Sequence, residues 1–138
     1  MYETILFPTD GSDHAATVAD HAIDIAATRD ATLHVLSVVD DRAFLVLDDE
    51  RIERVRDDLR TSAHEAATRA ADHGIETTTA VDTGNPVECI LDSAATVDAD
   101  LIVMGTSGDE YERNVVGSVS QRVVRDAPVP VTTVGPDV

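Results

Sequence analysis

Apolar runs of strand length alternate along this chain with stretches whose apolar residues recur every three or four positions. Ile5-Leu6-Phe7 opens a first strand, and Pro8-Thr9-Asp10-Gly11-Ser12 is the turn that leaves it. A helix is predicted from Asp13 to Thr28, because Ala15, Val18, Ala19, Ala22, Ile23 and Ala26 make one buried stripe. Ser12 or Asp13 is its expected N-cap. Thr32 to Val39 is nearly all apolar apart from His34 and Ser37, as a central strand covered on both faces requires. After an irregular connection, Ile52, Val55, Leu59, Ala63, Ala66, Ala67 and Ala70 mark a long helix that stops before Gly74. Ile75 to Val81 alternates with threonines and reads as a strand nearer an edge. Asn85 then caps a helix with Pro86 in its first turn and Val87, Ile90, Leu91, Ala94 and Ala95 on its buried stripe. Leu101 to Met104 is a fourth strand, Ser118 to Arg125 a last helix ended by Pro128, and Val129 to Val134 a fifth strand. Pro130 inside that strand points to a sheet edge, where a missing N–H does least harm.

Five strands alternating with four helices build right-handed crossover units, hence an α/β, Rossmann-like parallel sheet with helices on both faces. Ligands of such sheets sit beyond the carboxyl ends of the strands, where the strand order reverses. Asp10, Val38 to Asp40 and the loop that starts at Gly105 all fall at such ends, so three separate stretches are expected to meet in one crevice.

Composition narrows the class. With 138 residues the chain fits one domain, residues 1–138, large enough to bury a single core. Two Phe, two Tyr and no Trp mean that this core is built from small aliphatic side chains. Charge is lopsided: 27 acidic residues face 10 basic ones, all Arg, for a net charge of −17. Such a surface repels itself in dilute buffer. In roughly molar salt the Debye length falls to about 3 Å and the repulsion is screened. A salt-rich cytoplasm, haloarchaeal or otherwise halophilic, is therefore expected; an acidic, nucleic-acid-like or effector-binding surface is the other reading. Nucleic acid is excluded as a partner for want of a basic patch, and no apolar run reaches the length of a membrane span. The single Cys89 cannot form an internal disulfide and reads as a packing residue, and His34 as a core or edge histidine rather than a ligand. With nothing resembling a signal peptide, the expected location is cytoplasmic. Phe44-Leu45-Val46-Leu47, in the connection after the second strand, is read as plain packing, ahead of a helix start, a lid or a contact surface.

The chemistry concentrates in Leu101-Ile102-Val103-Met104-Gly105-Thr106-Ser107-Gly108, which is followed after eight residues by Gly117-Ser118. An apolar strand here empties into a glycine-punctuated loop that closes on a new helix. Glycines admit backbone N–H groups close to a phosphate, and a helix N-terminus adds unpaired donors and the positive end of its dipole. The same pattern also serves as a plain turn with Ser118 as a cap. A P-loop would need a lysine, and the chain has none. A dinucleotide fold would need close-spaced glycines in the first turn, which has only Gly11. A phospho-accepting receiver domain would also want a lysine.

The stretches Ile5 to Ser12, Leu33 to Asp40, Leu101 to Gly108 with Gly117-Ser118-Val119, and Ala127 to Val131 together resemble the universal stress protein family, over almost the whole chain. The resemblance implies a strand order of 3-2-1-4-5 and a homodimer, often formed through the last strand, here Val129 to Val134. It is similar to the ATP-binding subgroup, whose pattern is Gly, two residues, Gly, nine residues, Gly and Ser or Thr. Carried over, Pro8 and Val38 line the adenine, with the Val38 backbone reading its edge, and Asp10 accepts from the ribose hydroxyls. Gly105, Gly108, Gly117, Ser118 and Val119 cradle ribose and phosphates. Thr9, Met104 and Ser107 complete the nucleotide-binding set, Ser107 standing where binders often have a histidine.

Two departures bear on the ligand. The spacing from Gly108 to Gly117 is one residue short of that pattern, and Asp109, followed by Glu110, stands where a basic residue is usual. Two carboxylates repel a triphosphate unless a divalent cation lies between. Mg²⁺ held through water by Asp109 or Glu110, with Arg113 adding charge, would answer this, as would ADP or AMP in place of ATP. The expectation is an adenine-nucleotide-binding dimeric stress or signalling protein that binds rather than reacts, with at most slow ATP hydrolysis. The alternative is a family member that binds no nucleotide and acts as a dimeric protein-interaction module.

Overall fold

The computed structural model describes residues 3–12, 14–106 and 118–135. Asp13, Ser107, Gly108, Asp109, Glu110, Arg113 and Gly117 lie outside them. In order, the chain forms β1 (Thr4–Pro8), α1 (Ala15–Arg29), β2 (Thr32–Asp40), a 3-10 helix (Asp41–Leu45), α2 (Asp49–Asp72) and β3 (Thr77–Gly84). Then come α3 (Pro86–Thr96), β4 (Leu101–Gly105), α4 (Ser118–Asp126) and β5 (Val131–Val134). The five strands form one parallel sheet in the order β3-β2-β1-β4-β5, as expected.

Strand β1 is the centre of this arrangement. Ile5, Leu6 and Phe7 are at most 1% exposed because the sheet is covered on both sides. Ile5 and Phe7 join Val18, Ala22, Leu33, Val35, Ala63 and Val103 in a core beneath α1 and α2. Leu6, on the opposite face, joins Leu36, Ile90, Ala94, Ile102 and Val123 beneath α3 and α4. The alanines of α1 and α2 bring helices close to the sheet without large side chains, so an aromatic-poor sequence still closes its interior.

Three helices hand the chain to the next strand by one device. A left-handed residue follows the helix, its N–H and that of the next residue turn back to the last carbonyls, and an apolar residue tucks in behind. At the end of α2 this residue is Gly74 (φ 77°), with Ile75 N–H donating to the Ala70 carbonyl at 3.1 Å. After α1 it is Asp30 (φ 54°), with Ala31 donating to Ala26 at 2.9 Å. After α3 it is Asp98 (φ 55°), with Ala99 donating to Ala94 at 2.8 Å. Ala31, Ile75 and Ala99 are all buried. Ile75 therefore closes a helix rather than opening a strand, and β3 begins two residues later than its pattern suggests.

Three other expectations are corrected. Helix α1 begins at Ala15 with His14 at the cap position and no side-chain cap, so Ser12 is not the N-cap; the Ser12 carbonyl instead accepts from Ala15 N–H at 3.0 Å. Strand β5 starts at Val131, and Pro130 precedes it, its carbonyl accepting from Ile102 N–H at 3.0 Å, so the ring costs the ladder nothing. Phe44, Leu45 and Val46 are not packed: they are 48%, 84% and 77% exposed, because the 3-10 helix is too short to turn an apolar stripe inward. His34 is an edge-proximal strand residue, its Nδ1 hydrogen-bonded to Thr78 on β3, and burial lowers its pKa. Cys89 is half-buried on α3, where burial and the carboxylates of Asp82 and Asp92 raise its thiol.

Asp30 occupies a conformation that suits glycine, and Asp30→Gly also removes a negative charge. Denaturant melts should show the variant more stable than the parent by about 1 kcal/mol. An unchanged or lowered midpoint would mean that the Asp30 side chain contributes more at this turn than its backbone costs.

Candidate functional site

Strand order reverses at β1, whose neighbours β2 and β4 send their connections to opposite faces, and a crevice of about 320 Å³ opens at their carboxyl ends. Its size lies within the usual range for small-molecule sites. Of the residues expected to form a site, Pro8, Thr9, Asp10, Val38, Met104, Gly105, Ser118 and Val119 all line it. Ser107, Gly108 and Gly117 fall outside the described residues.

The turn after β1 is shaped by its own side chains. Thr9 N–H is taken by the Leu36 carbonyl at 2.8 Å, and the Asp10 Oδ1 accepts from Ser12 N–H at 2.9 Å. Gly11 (φ +73°) completes the turn, and a Cβ there would stand 3.0 Å from Ser62 Oγ on α2. The Asp10 carboxylate is thus both a turn-former and an exposed group on the crevice wall.

On the far side, the carbonyl of Val134 gathers two donors. Thr106 N–H reaches it at 3.1 Å, and His14 Nε2 donates to it at 2.9 Å. Ser120, 2% exposed, donates from Oγ to the Thr106 carbonyl at 2.9 Å. These bonds tie the entry to α1, the exit of β4, the first turn of α4 and the end of β5 into one rim. The first turn of α4 faces the crevice through Ser118, Val119 and Ser120.

The crevice lining mixes the two kinds of surface: Pro8, Leu36, Val38, Pro86, Ile90, Met104 and Val119 are apolar, and Thr9, Asp10, His14, Thr106, Ser118 and Ser120 are polar. It also carries an ion pair that sequence reasoning missed. Arg42 and Asp40 both line the crevice. The Arg42 Nε lies 3.1 Å from each Asp40 oxygen, its NH2 lies 2.6 Å from Oδ2, and its backbone N–H donates to Oδ1 at 3.0 Å. Arg42 holds the Asp40 carboxyl below its ordinary pKa, chiefly through the side-chain hydrogen bond. The clue was present in the sequence: Arg42 follows the end of β2 by two residues, where the fold places a wall of the site. Ser12, His14 and Ser120 were missed as well, since nothing in periodicity distinguishes a cap from a rim. Among the described residues, no group of three or more His, Cys, Asp and Glu is arranged to hold a metal.

The model of the universal stress protein family matches residues 1–135, and the chain belongs to that family. A universal stress protein of Methanocaldococcus jannaschii is 38% identical over 140 residues, which is 97% of this chain and 82% of that protein. A universal stress protein from Archaeoglobus fulgidus solved in complex with dAMP is 25% identical with a TM-score of 0.74, over 96% of this chain and 97% of that one. Another universal stress protein, solved in complex with cAMP, is 26% identical with a TM-score of 0.76, over 99% of each chain. No described helix is long and apolar enough to cross a membrane.

A carboxylate with a lowered folded pKa adds stability above its unfolded value, near 4, and that stability is lost as pH falls through the lower folded value. Arg42→Ala should therefore be less stable than the parent at pH 7, by no more than about 1 kcal/mol for so exposed a pair. The gap should close as the pH is taken from about 5 towards 2 in matched melts. A gap that persists in acid would show that Arg42 acts through packing rather than through Asp40.

Proposed function

We propose that the chain is a binding protein for an adenine nucleotide, ATP, ADP or AMP, held in the crevice at the carboxyl ends of β1, β2 and β4. The observation that carries this reading is that one crevice at the switch point of the sheet combines apolar surface with hydroxyls and the first turn of α4. A flat base suits Pro8, Val38 and Ile90, while the amides and hydroxyls at the start of α4 suit a ribose and its phosphates. In this reading Asp10, exposed on the crevice wall, accepts from ribose hydroxyls. Relatives solved with dAMP and cAMP support the same class of ligand. With no lysine in the chain, the phosphates rely on main-chain donors, Ser118 and, for the longer nucleotides, Mg²⁺.

The activity is binding rather than turnover. The protein acts as a homodimer through β5, an edge strand that begins at the partly buried Val131, in a salt-rich cytoplasm that screens its net charge of −17. A second reading, a dimeric interaction module that takes no nucleotide, is favoured by the exposed Phe44, Leu45 and Val46.

Titration calorimetry with ATP and Mg²⁺, and with AMP alone, in roughly 2 M KCl separates the two. Binding should be saturable, and Asp10→Ala should weaken it roughly tenfold. No heat and no thermal protection would favour the interaction module, and phosphate release abolished by Asp10→Ala would make the protein an ATPase.

Thermal melts across a KCl series test the salt argument. The midpoint should rise steadily as the Debye length shrinks from about 10 Å at 0.1 M towards about 3 Å at 1 M. A midpoint indifferent to KCl would remove the case for a salt-rich interior.

A further inference from the structure

We propose that Phe44, Leu45 and Val46 form a docking site for a short amphipathic segment of another protein, one that sets apolar side chains among Lys or Arg; this gives a partner to the interaction reading and needs no nucleotide in the crevice. The three residues are exposed side by side, on the 3-10 helix Asp41–Leu45 and the residue that caps it. Leu45 and Val46, 84% and 77% exposed, gain nothing from the fold. Their backbone is nevertheless fixed. Arg42 N–H donates to Asp40 Oδ1 at 3.0 Å, Val46 and Leu47 donate to the Ala43 carbonyl at 3.2 and 2.8 Å, and Asp48 caps α2 by accepting from Arg51 N–H at 2.9 Å. A partner therefore meets a surface whose main chain is already ordered, which lowers the cost of docking.

Charge decides what that partner is. Asp41 precedes the apolar residues and Asp48, Asp49 and Glu50 follow them, all exposed. Of the arginines close by in sequence, Arg42 is paired with Asp40 and Arg54 with Glu50, so the surroundings stay acidic. A second copy docked here across a two-fold axis would set these carboxylates against their own kind. Anionic lipid and nucleic acid are repelled for the same reason. Phe44, Leu45 and Val46 are not among the described residues that line the crevice, although Arg42 of the same short helix is, so they do not serve as its wall. A cationic amphipathic segment meets both demands, with apolar anchors on the three side chains and Lys or Arg against the carboxylates that flank them. So small an apolar surface suits a weak, transient contact.

The probe is a fluorescent synthetic helix of leucine and arginine, followed by anisotropy at about 0.1 M and about 1 M KCl. Two control helices replace its leucines by serine or its arginines by glutamate. The leucine and arginine helix should bind the parent at both salts, whereas the serine control should lose its binding as charge is screened and the glutamate control should not bind. Leu45→Ser with Val46→Ser should weaken the first helix at least tenfold at high salt. Both positions are exposed, so the melting midpoint and the AMP titration of this variant should match the parent. Equal binding by parent and variant, equal binding of the glutamate control, or no binding by the parent overturns the assignment and leaves the nucleotide reading untouched. A variant that sediments differently from the parent when alone makes the surface a seam between copies, and one that loses AMP makes it part of the crevice; either result overturns the assignment too.

Discussion

Everything in this molecule depends on the burial of β1 between two strands and two helical layers. Its three apolar residues, Ile5, Leu6 and Phe7, divide between the two cores, so β1 has no exposed face and no free edge. The chain must leave its end through a tight turn, and the connections of its neighbours diverge on either side of that turn. The crevice is the space this divergence leaves. Its described walls are mostly strand ends and helix starts, and the carbonyl of Val134 links them by accepting from both Thr106 and His14.

Electrostatics imposes the second constraint. A chain with 27 acidic residues and no lysine cannot attract an anionic ligand by net charge. Whatever anion this universal stress protein accepts has to be held by local donors that outweigh the field of the surface. Arg42 illustrates the economy of the arrangement, since its guanidinium engages Asp40 and so quiets one of the carboxylates on the crevice wall. Screening by salt would act on the long-range repulsion and leave such short contacts nearly intact.

Much of this was legible in the residues. The stripe of α1, the continuous apolar run of β2 and the edge character of β3 follow from periodicity, because burial enforces it; β5 is an edge strand as well, but Pro130, read as its mark, lies before the strand. The turn at Asp10, Val38 and the strand leading to Gly105 were placed together by topology alone. What was not legible depended on local geometry. His14 takes the cap position because the backbone is already helical there (φ −68°, ψ −23°), a fact that residue preference at Ser12 does not reveal. The exposure of Phe44 to Val46 follows from a 3-10 helix too short to carry an inward stripe, which an apolar quartet does not announce. The pairing of Arg42 with Asp40 needed knowledge that both reach the same wall.

The central claim is that a nucleotide enters between the ends of β1, β2 and β4. Amide chemical shifts recorded during an AMP titration at high KCl test it most directly. The account predicts changes clustered at Thr9, Asp10, Val38, Asp40, Gly105, Thr106 and the first turn of α4, with the amides of β3 and the end of α2 at rest. Shifts confined to Phe44, Leu45 and Val46 or to β5, with the crevice silent, would contradict it.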